Sequence, residues 1–261
     1  MGEISLQKVI ASEKSSRLLL DLDNGPKGCD ELSKNLGTTQ KEIFSNLELL
    51  ERYHLVSEEN GVYTLTLIGE LIIEKLKPIF SMEEFMNSND GYWQNHNLDF
   101  IPPYLLNRLH NLLPCTVIQP IMSEIFDYNK EAHETSLSSR SLNMAAAGFL
   151  PSSFHLLSDL IDEGVNLSLI FDSCLYSKIK RDNLDKLRKL VNSQQVALYL
   201  YPRNMHLFSF KANDSCLVLR LLTNEGTYDH KQLYCCSPNA AEWGRELFEY
   251  YLKDSMPITE I

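Results

Sequence analysis

The sequence predicts an α+β protein in two parts: a small helical unit carrying one β-hairpin, then a larger α/β unit. Three observations predict it. Apolar residues recur at helical spacing through the first 80 residues, and an Asn60-Gly61 dipeptide there separates two alternating segments. From about residue 115, short apolar runs alternate with amphipathic helical ones. The chain has 261 residues, 44% of them hydrophobic, which is enough to bury two ordinary cores. The expected division is 1–80, a helical connector over 81–114, and 115–261.

In the first part, "SLQKVIASEKSSRLLLDLDNG" has the apolar spacing of one helix, with Leu18, Leu19 and Leu22 on its buried side and Asn24-Gly25-Pro26 ending it. "CDELSKNLG" reads as a short helix with Gly37 in the C′ position, where a left-handed residue closes the last turn. Thr39 and Glu42 then fit a capping box, the hydroxyl and the carboxylate each accepting from an amide of the first turn. Ile43, Leu47 and Leu50 follow on a single apolar face. "LVSEENGVYTLT" alternates around the Asn-Gly pair, which supplies positive φ for a two-residue turn. "LIGELIIEKLKPIF" makes a further helix, expected to stop near Pro78.

In the connector, Pro102-Pro103 is expected to start a helix. Beyond it, "SLNMAAAG", "VNLSLIFD", "VALYLYP", "LFSFKA", "SCLVLRLL" and "QLYCC" read as strands. "PSSFHLLSDLIDEG" and "KIKRDNLDKLRKLVNS" read as helices between them. "SPNAAEWGRELFEYYLK" closes the series as an amphipathic helix, with Ser237 as N-cap and Pro238 at N1.

The formal charge of −11 argues against a nonspecific nucleic-acid coat and against an anionic membrane surface. Residues 1–78 hold nine Lys+Arg against thirteen Asp+Glu, a net of −4. No apolar run approaches the ~18 residues of a membrane span, and no signal-peptide pattern opens the chain, so a cytoplasmic protein is expected. The six cysteines, at 29, 115, 174, 216, 235 and 236, show no metal-ligand spacing. They are expected as free thiols, with neither metal nor cofactor.

Two helices meeting at Gly37, a hairpin and a further helix give the order of a winged helix-turn-helix. The stretch "DELSKNLGTTQKEIFSNLELLERYHLV", then the hairpin, then "YTLTLIGELI", resembles winged helix-turn-helix regulators of the ArsR and MarR type. Further on, "GYWQNHNLDFIPPYLLNRL", "LIDEGVNLSLIF" and "YDHKQLYCCSPNAAEWGRELFEYY" are similar to the archaeal methanogenesis-regulatory family of FilR type. That resemblance implies a transcription factor of a methane-producing archaeon, with a winged helix ahead of an α/β regulatory domain. The order strand, "GFLPSS", helix, "EGVNLSLIFD" also resembles half-units of phospholipase D-like folds. The catalytic HxK(x)4D motif of that superfamily is missing, since none of the seven histidines has a lysine two positions on. A P-loop, a GxSxG elbow, a dinucleotide GxGxxG and HExxH are missing too, so a non-enzyme is expected.

A winged helix implies double-stranded DNA as partner and a homodimer as the reading unit. The face opposite Ile43, Leu47 and Leu50 holds Lys41, Ser45, Glu48 and Arg52, with Thr38, Thr39 and Gln40 at the positive end of the helix. Gln40 is suited to adenine, Lys41 to guanine or phosphate, and the threonines to phosphate. The expected DNA contacts are therefore Thr38, Thr39, Gln40, Lys41, Ser45 and Arg52. Polar residues at strand ends, namely Arg140, Asp172, Arg203, Arg220, Tyr228 and Asp229, are the candidates for a small-molecule effector, because arginines so placed clamp anions. The alternative is a protein-interaction or ligand-binding protein that uses its winged helix as a docking module.

Overall fold

The computed structural model describes residues 6–89, 91–121 and 128–261. The chain divides into two compact units, Met1–Glu83 and Glu84–Ile261. The first contains α1 (Leu6–Ile10), α2 (Glu13–Asp23), β1 (Lys27–Gly28), α3 (Cys29–Leu36), α4 (Gln40–Arg52), β2 (Val56–Glu59), β3 (Val62–Leu65) and most of α5 (Leu67–Asn87). Where the spacing predicts one helix from Ser5, a residue outside those described, there are two. Ser12 leaves the helix at φ −76°, ψ 121°, and the Ser16 hydroxyl donates to the Ile10 carbonyl at 2.6 Å. Serine competes in this way with the helical ladder, and three serines stand within five residues.

The turn from α3 to α4 follows the reading. Gly37 is left-handed at φ 60°, and the amides of Gly37 and Thr38 return to the Lys34 and Ser33 carbonyls. The Thr39 hydroxyl accepts from the Glu42 amide at 3.3 Å. Ile43, Leu47 and Leu50 are buried with Leu18, Leu19, Leu22, Leu32, Leu55 and Ile73. Burial of such side chains, at about 1.5–3 kcal/mol each, holds the unit together more than helix propensity does. Asn60 and Gly61 both have positive φ, 55° and 82°, and set Glu59 opposite Val62. Strand β1 joins this hairpin in the order β1-β3-β2.

Helix α5 does not stop at Pro78, as expected, but runs on to Asn87. A proline removes one ladder bond, while Met82, Glu83, Glu84 and Met86 are good helix formers and Phe85 is fully buried with its ring 4.3 Å from Trp93. The division between the units falls within this helix, and the segment read as a connector is counted with the second unit.

That unit opens with α6 (Tyr92–Asn95), α7 (Pro103–Leu106, with Pro103 in its first turn) and a 3-10 turn at Leu109–Leu112. Then follow β4 (Cys115–Ile118), α8 (Lys130–Leu137), β5 (Ser141–Ala146), α9 (Ser153–Asp162), β6 (Asn166–Asp172), α10 (Ser173–Asp182) and α11 (Leu184–Asn192). The chain continues with β7 (Val196–Tyr201), β8 (Ser209–Asn213), β9 (Cys216–Arg220), β10 (Gln232–Cys236), α12 (Pro238–Leu252) and β11 (Met256–Pro257). One sheet runs β11-β7-β6-β5-β8-β9-β10-β4, with β5, β6 and β7 parallel and the other pairings antiparallel. Leucines of α9, α10 and α11 pack on one face against Leu142, Leu167, Leu169 and Leu198. Helix α12 lies close on the other, where a Cβ on Gly244 would stand 2.7 Å from the Ala212 Cβ.

Two expectations are corrected here. "KIKRDNLDKLRKLVNS" is two helices, broken at Asn183, whose φ of −144° is not helical. Cys216 and Cys236, directly opposite on β9 and β10, form a disulfide, whereas Cys29, Cys115, Cys174 and Cys235 are free thiols. Sequence spacing does not reveal a cross-strand neighbour, so the pairing was invisible before the register was known.

Candidate functional site

The first unit exposes α4 as read. Lys41, Ser45 and Arg52 are exposed, and no ion pair holds Lys41 or Arg52 among the described residues. The helix start is more occupied. Gln40 donates to the Asp30 carboxylate at 2.5 Å, and the Thr39 hydroxyl caps the helix. Thr38 donates to the Glu42 carboxylate, which also accepts from Lys14 at 3.0 Å. These bonds, Thr38 first and Lys14 second, pull the Glu42 carboxyl below its ordinary range. Glu42 is thus spent within the first unit, and Glu48 remains as the exposed acid of the stripe.

Phe44, 51% exposed beside Lys41 and Ser45, is a residue the sequence reading passed over. Its signal was present: it stands one position outside the apolar face set by Ile43 and Leu47. An exposed aromatic ring at this position is suited to a thymine methyl group. Of the neighbouring cations, Lys27 is buried and paired with Asp21 at 3.5 Å, and Arg17 pairs with Glu13 at 2.8 Å. The hairpin tip carries exposed Glu58 and Glu59, with Glu58 accepting from the Gly61 amide. On α5, Leu67, Ile68, Leu71 and Ile79 form an exposed apolar stripe.

The second unit scatters the six effector candidates. Arg140 is exposed at the start of β5. Asp172 is buried as the N-cap of α10, accepting from the Leu175 amide at 2.8 Å, and burial pushes its carboxyl up. Arg203 pairs with Asp254 at the surface. Asp229 accepts from the Lys231 amide at 3.1 Å and lies 3.3 Å from His96 Nε2. His96, with Tyr92 stacked on it at 3.9 Å and Trp93 beside them, packs within this unit. Arg220 and Tyr228 come together. The guanidinium donates to Gln232 Oε1 at 3.0 Å and interacts with the Tyr228 phenol, whose ring stacks on Phe208 at 4.1 Å.

A cation that the sequence reading missed stands near them. Lys211 on β8 shares a sheet face with Arg220 on β9, because Ser209 faces Arg220 and Lys211 faces Val218 across the strands. Burial, and after it the Arg220 charge, lowers the Lys211 amine to about 7. A single lysine in "LFSFKA" carries no motif, so only strand register could reveal this pairing.

Comparison with known proteins places the second unit first. Residues 125–254, just under half of the chain, match the family described as "Methanogenesis regulatory protein FilR1, middle domain". Methanogenesis regulatory protein FilR1 of Methanothrix harundinacea (strain 6Ac) is 22% identical over 260 residues, covering 97% of this chain and 58% of that protein. The chain therefore spans a little over half the length of this curated relative. Among solved structures, TrmBL2, an archaeal chromatin protein with "a novel mode of DNA binding", superposes with a TM-score of 0.44 at 14% identity, over 93% of this chain and 92% of that one. The phospholipase D family member Nuc of Salmonella typhimurium gives 0.42 at 15% identity, over 56% and 99%.

Proposed function

We propose that the chain is a DNA-binding transcriptional regulator, cytoplasmic and homodimeric. In this reading the first unit is a winged helix-turn-helix that lays α4 in the major groove, and the second unit is an α/β domain that responds to a signal. The observation that carries the reading is the exposed stripe Lys41, Phe44, Ser45 and Arg52 on the helix after the left-handed Gly37 turn. Likeness of the second unit to the middle domain of methanogenesis regulators supports a regulatory role. The apolar stripe on α5 supports a second copy as partner, since an exposed helix face of four large apolar side chains is stabilised by burial.

Division of labour along α4 follows from its contacts. Lys41 and Arg52 neutralise phosphate or, in the case of Lys41, reach guanine; Ser45 and Phe44 meet base edges. Gln40 reads a base only by leaving Asp30, so its contribution is smaller than that of Lys41. The test is a fluorescence-anisotropy titration on an operator fragment at low salt. Lys41→Ala and Arg52→Ala are expected to weaken binding roughly ten-fold each and to lower the salt slope by about one unit. Unchanged affinity in both variants would contradict the reading and favour protein docking.

A further inference from the structure

Lys211 and Arg220 are two basic side chains on one sheet face, brought together by the β8–β9 register. Arg220 is 7% exposed, and its Nε is buried without a hydrogen-bond partner. Arg220 on β9 acts on Lys211, and Lys211 acts in turn on His133 on α8. Around Arg220 stand Gln232 on β10 and Tyr228 in the loop before it, both neutral. Asp159 on α9 is the nearby acid, and it is held by His133 at 3.3 Å and His155 at 3.5 Å. No carboxylate among the described residues pairs with Lys211 or Arg220.

Burying cationic groups with no anion is costly, and folded proteins offset it by a paired charge or by deprotonation. Place in the fold adds a second argument. Strands β5, β6 and β7 succeed one another in one direction, and the chain then returns to put β8 on the other side of β5. Sheets of this kind bind ligands outside the carboxyl ends of the parallel strands, where the order reverses. Ser209, which faces Ala146 at the end of β5 and Arg220 on β9, marks that end.

We propose that the second unit binds a small oxyanion of the phosphate class, held by the Lys211 ammonium, the unpartnered Nε of Arg220 and the Tyr228 hydroxyl. Lys211 is half-buried as a residue. A dianion neutralises both cations at once, and Nε–H gives the guanidinium a directed donor in addition to the one already on Gln232. Chloride lacks the several acceptor oxygens that this set of donors addresses. The anion is either free phosphate or the phosphoryl group of a small metabolite, and either would serve as the signal of the regulatory reading. Its binding is measurable without DNA, so failure of one leaves the other standing.

The experiment is calorimetric titration of the full chain with inorganic phosphate and, separately, with glycerol phosphate, in chloride at constant ionic strength. Thermal unfolding with and without each anion accompanies it. Wild type is expected to bind at least one of the two and to gain melting temperature. Lys211→Met, which keeps the stem and removes the charge, is expected to fold, to melt no lower than wild type without anion, and to bind at least ten-fold more weakly. Arg220→Lys is expected to weaken binding as well while keeping a charge. Binding of glycerol phosphate alone would identify a phosphomonoester and binding of phosphate alone the free ion, both in support. Binding of neither anion, or equal binding by wild type and Lys211→Met, would overturn the proposal.

Discussion

Lys211 turns a single residue into a measurable pH dependence. In the unfolded chain its amine takes up a proton as pH falls through about 10.5, and in the fold only near 7. Between those values the unfolded state binds more protons, so this residue makes stability rise with pH from 7 towards 10. The contribution is lost as pH falls back to 7. The difference in unfolding free energy between wild type and Lys211→Met, from urea melts at constant ionic strength without phosphate, should follow that slope. A flat difference would remove the buried amine from the account. Cys115 provides a second test. A hydrogen bond with Cys235 is the main cause, with Asn89 donating at 3.0 Å as a further one, and together they bring the Cys115 thiol down to about 7. Iodoacetamide should modify Cys115 with a midpoint near pH 7, read peptide by peptide, while buried Cys235, whose thiol burial pushes up, resists. Asn89→Ala should shift the Cys115 midpoint upwards.

The elements that were legible in the sequence are those whose signals are local. Gly37, Thr39 and Asn60-Gly61 each act on their own backbone, and the α3–α4 turn, the α4 start and the hairpin follow from them. Strands β5 to β10 were legible as apolar runs. Elements set by distant partners were not. Helix α5 passes Pro78 into a segment anchored by Phe85 on Trp93, β4 is a short strand fixed by pairing with β10, and the Cys216–Cys236 bond depends on register. The candidate sites divide in the same way. Periodicity gives the exposed face of α4, whereas Lys211 beside Arg220 needs the sheet. Gly69 tests one contact at this scale: a Cβ there would stand 2.0 Å from the Leu55 carbonyl oxygen. Because that neighbour is backbone, Gly69→Ala should cost roughly 2–3 kcal/mol of stability, measured by chemical denaturation. A change within 0.5 kcal/mol would mean that the start of α5 yields easily.

For the whole molecule, charge sets the terms of the proposed DNA binding. A chain of net −11 gains little from nonspecific attraction, so specific contacts must carry the affinity. Lys34, Lys41 and Arg52, on and beside α4, are exposed without an ion pair among the described residues. In the proposed dimer these three side chains on each copy would give about six phosphate contacts, and a log–log salt slope of about −5 is expected. Leu71→Asp, placed in the exposed stripe of α5, should give a monomer by light scattering and reduce that slope towards half. The most direct measurement is selection of genomic fragments by the purified full chain at low salt, followed by sequencing. Enrichment of a two-fold symmetric site, lost with Lys41→Ala, is the expected result. Recovery of no common sequence, or of the same sequences by that variant, would contradict it.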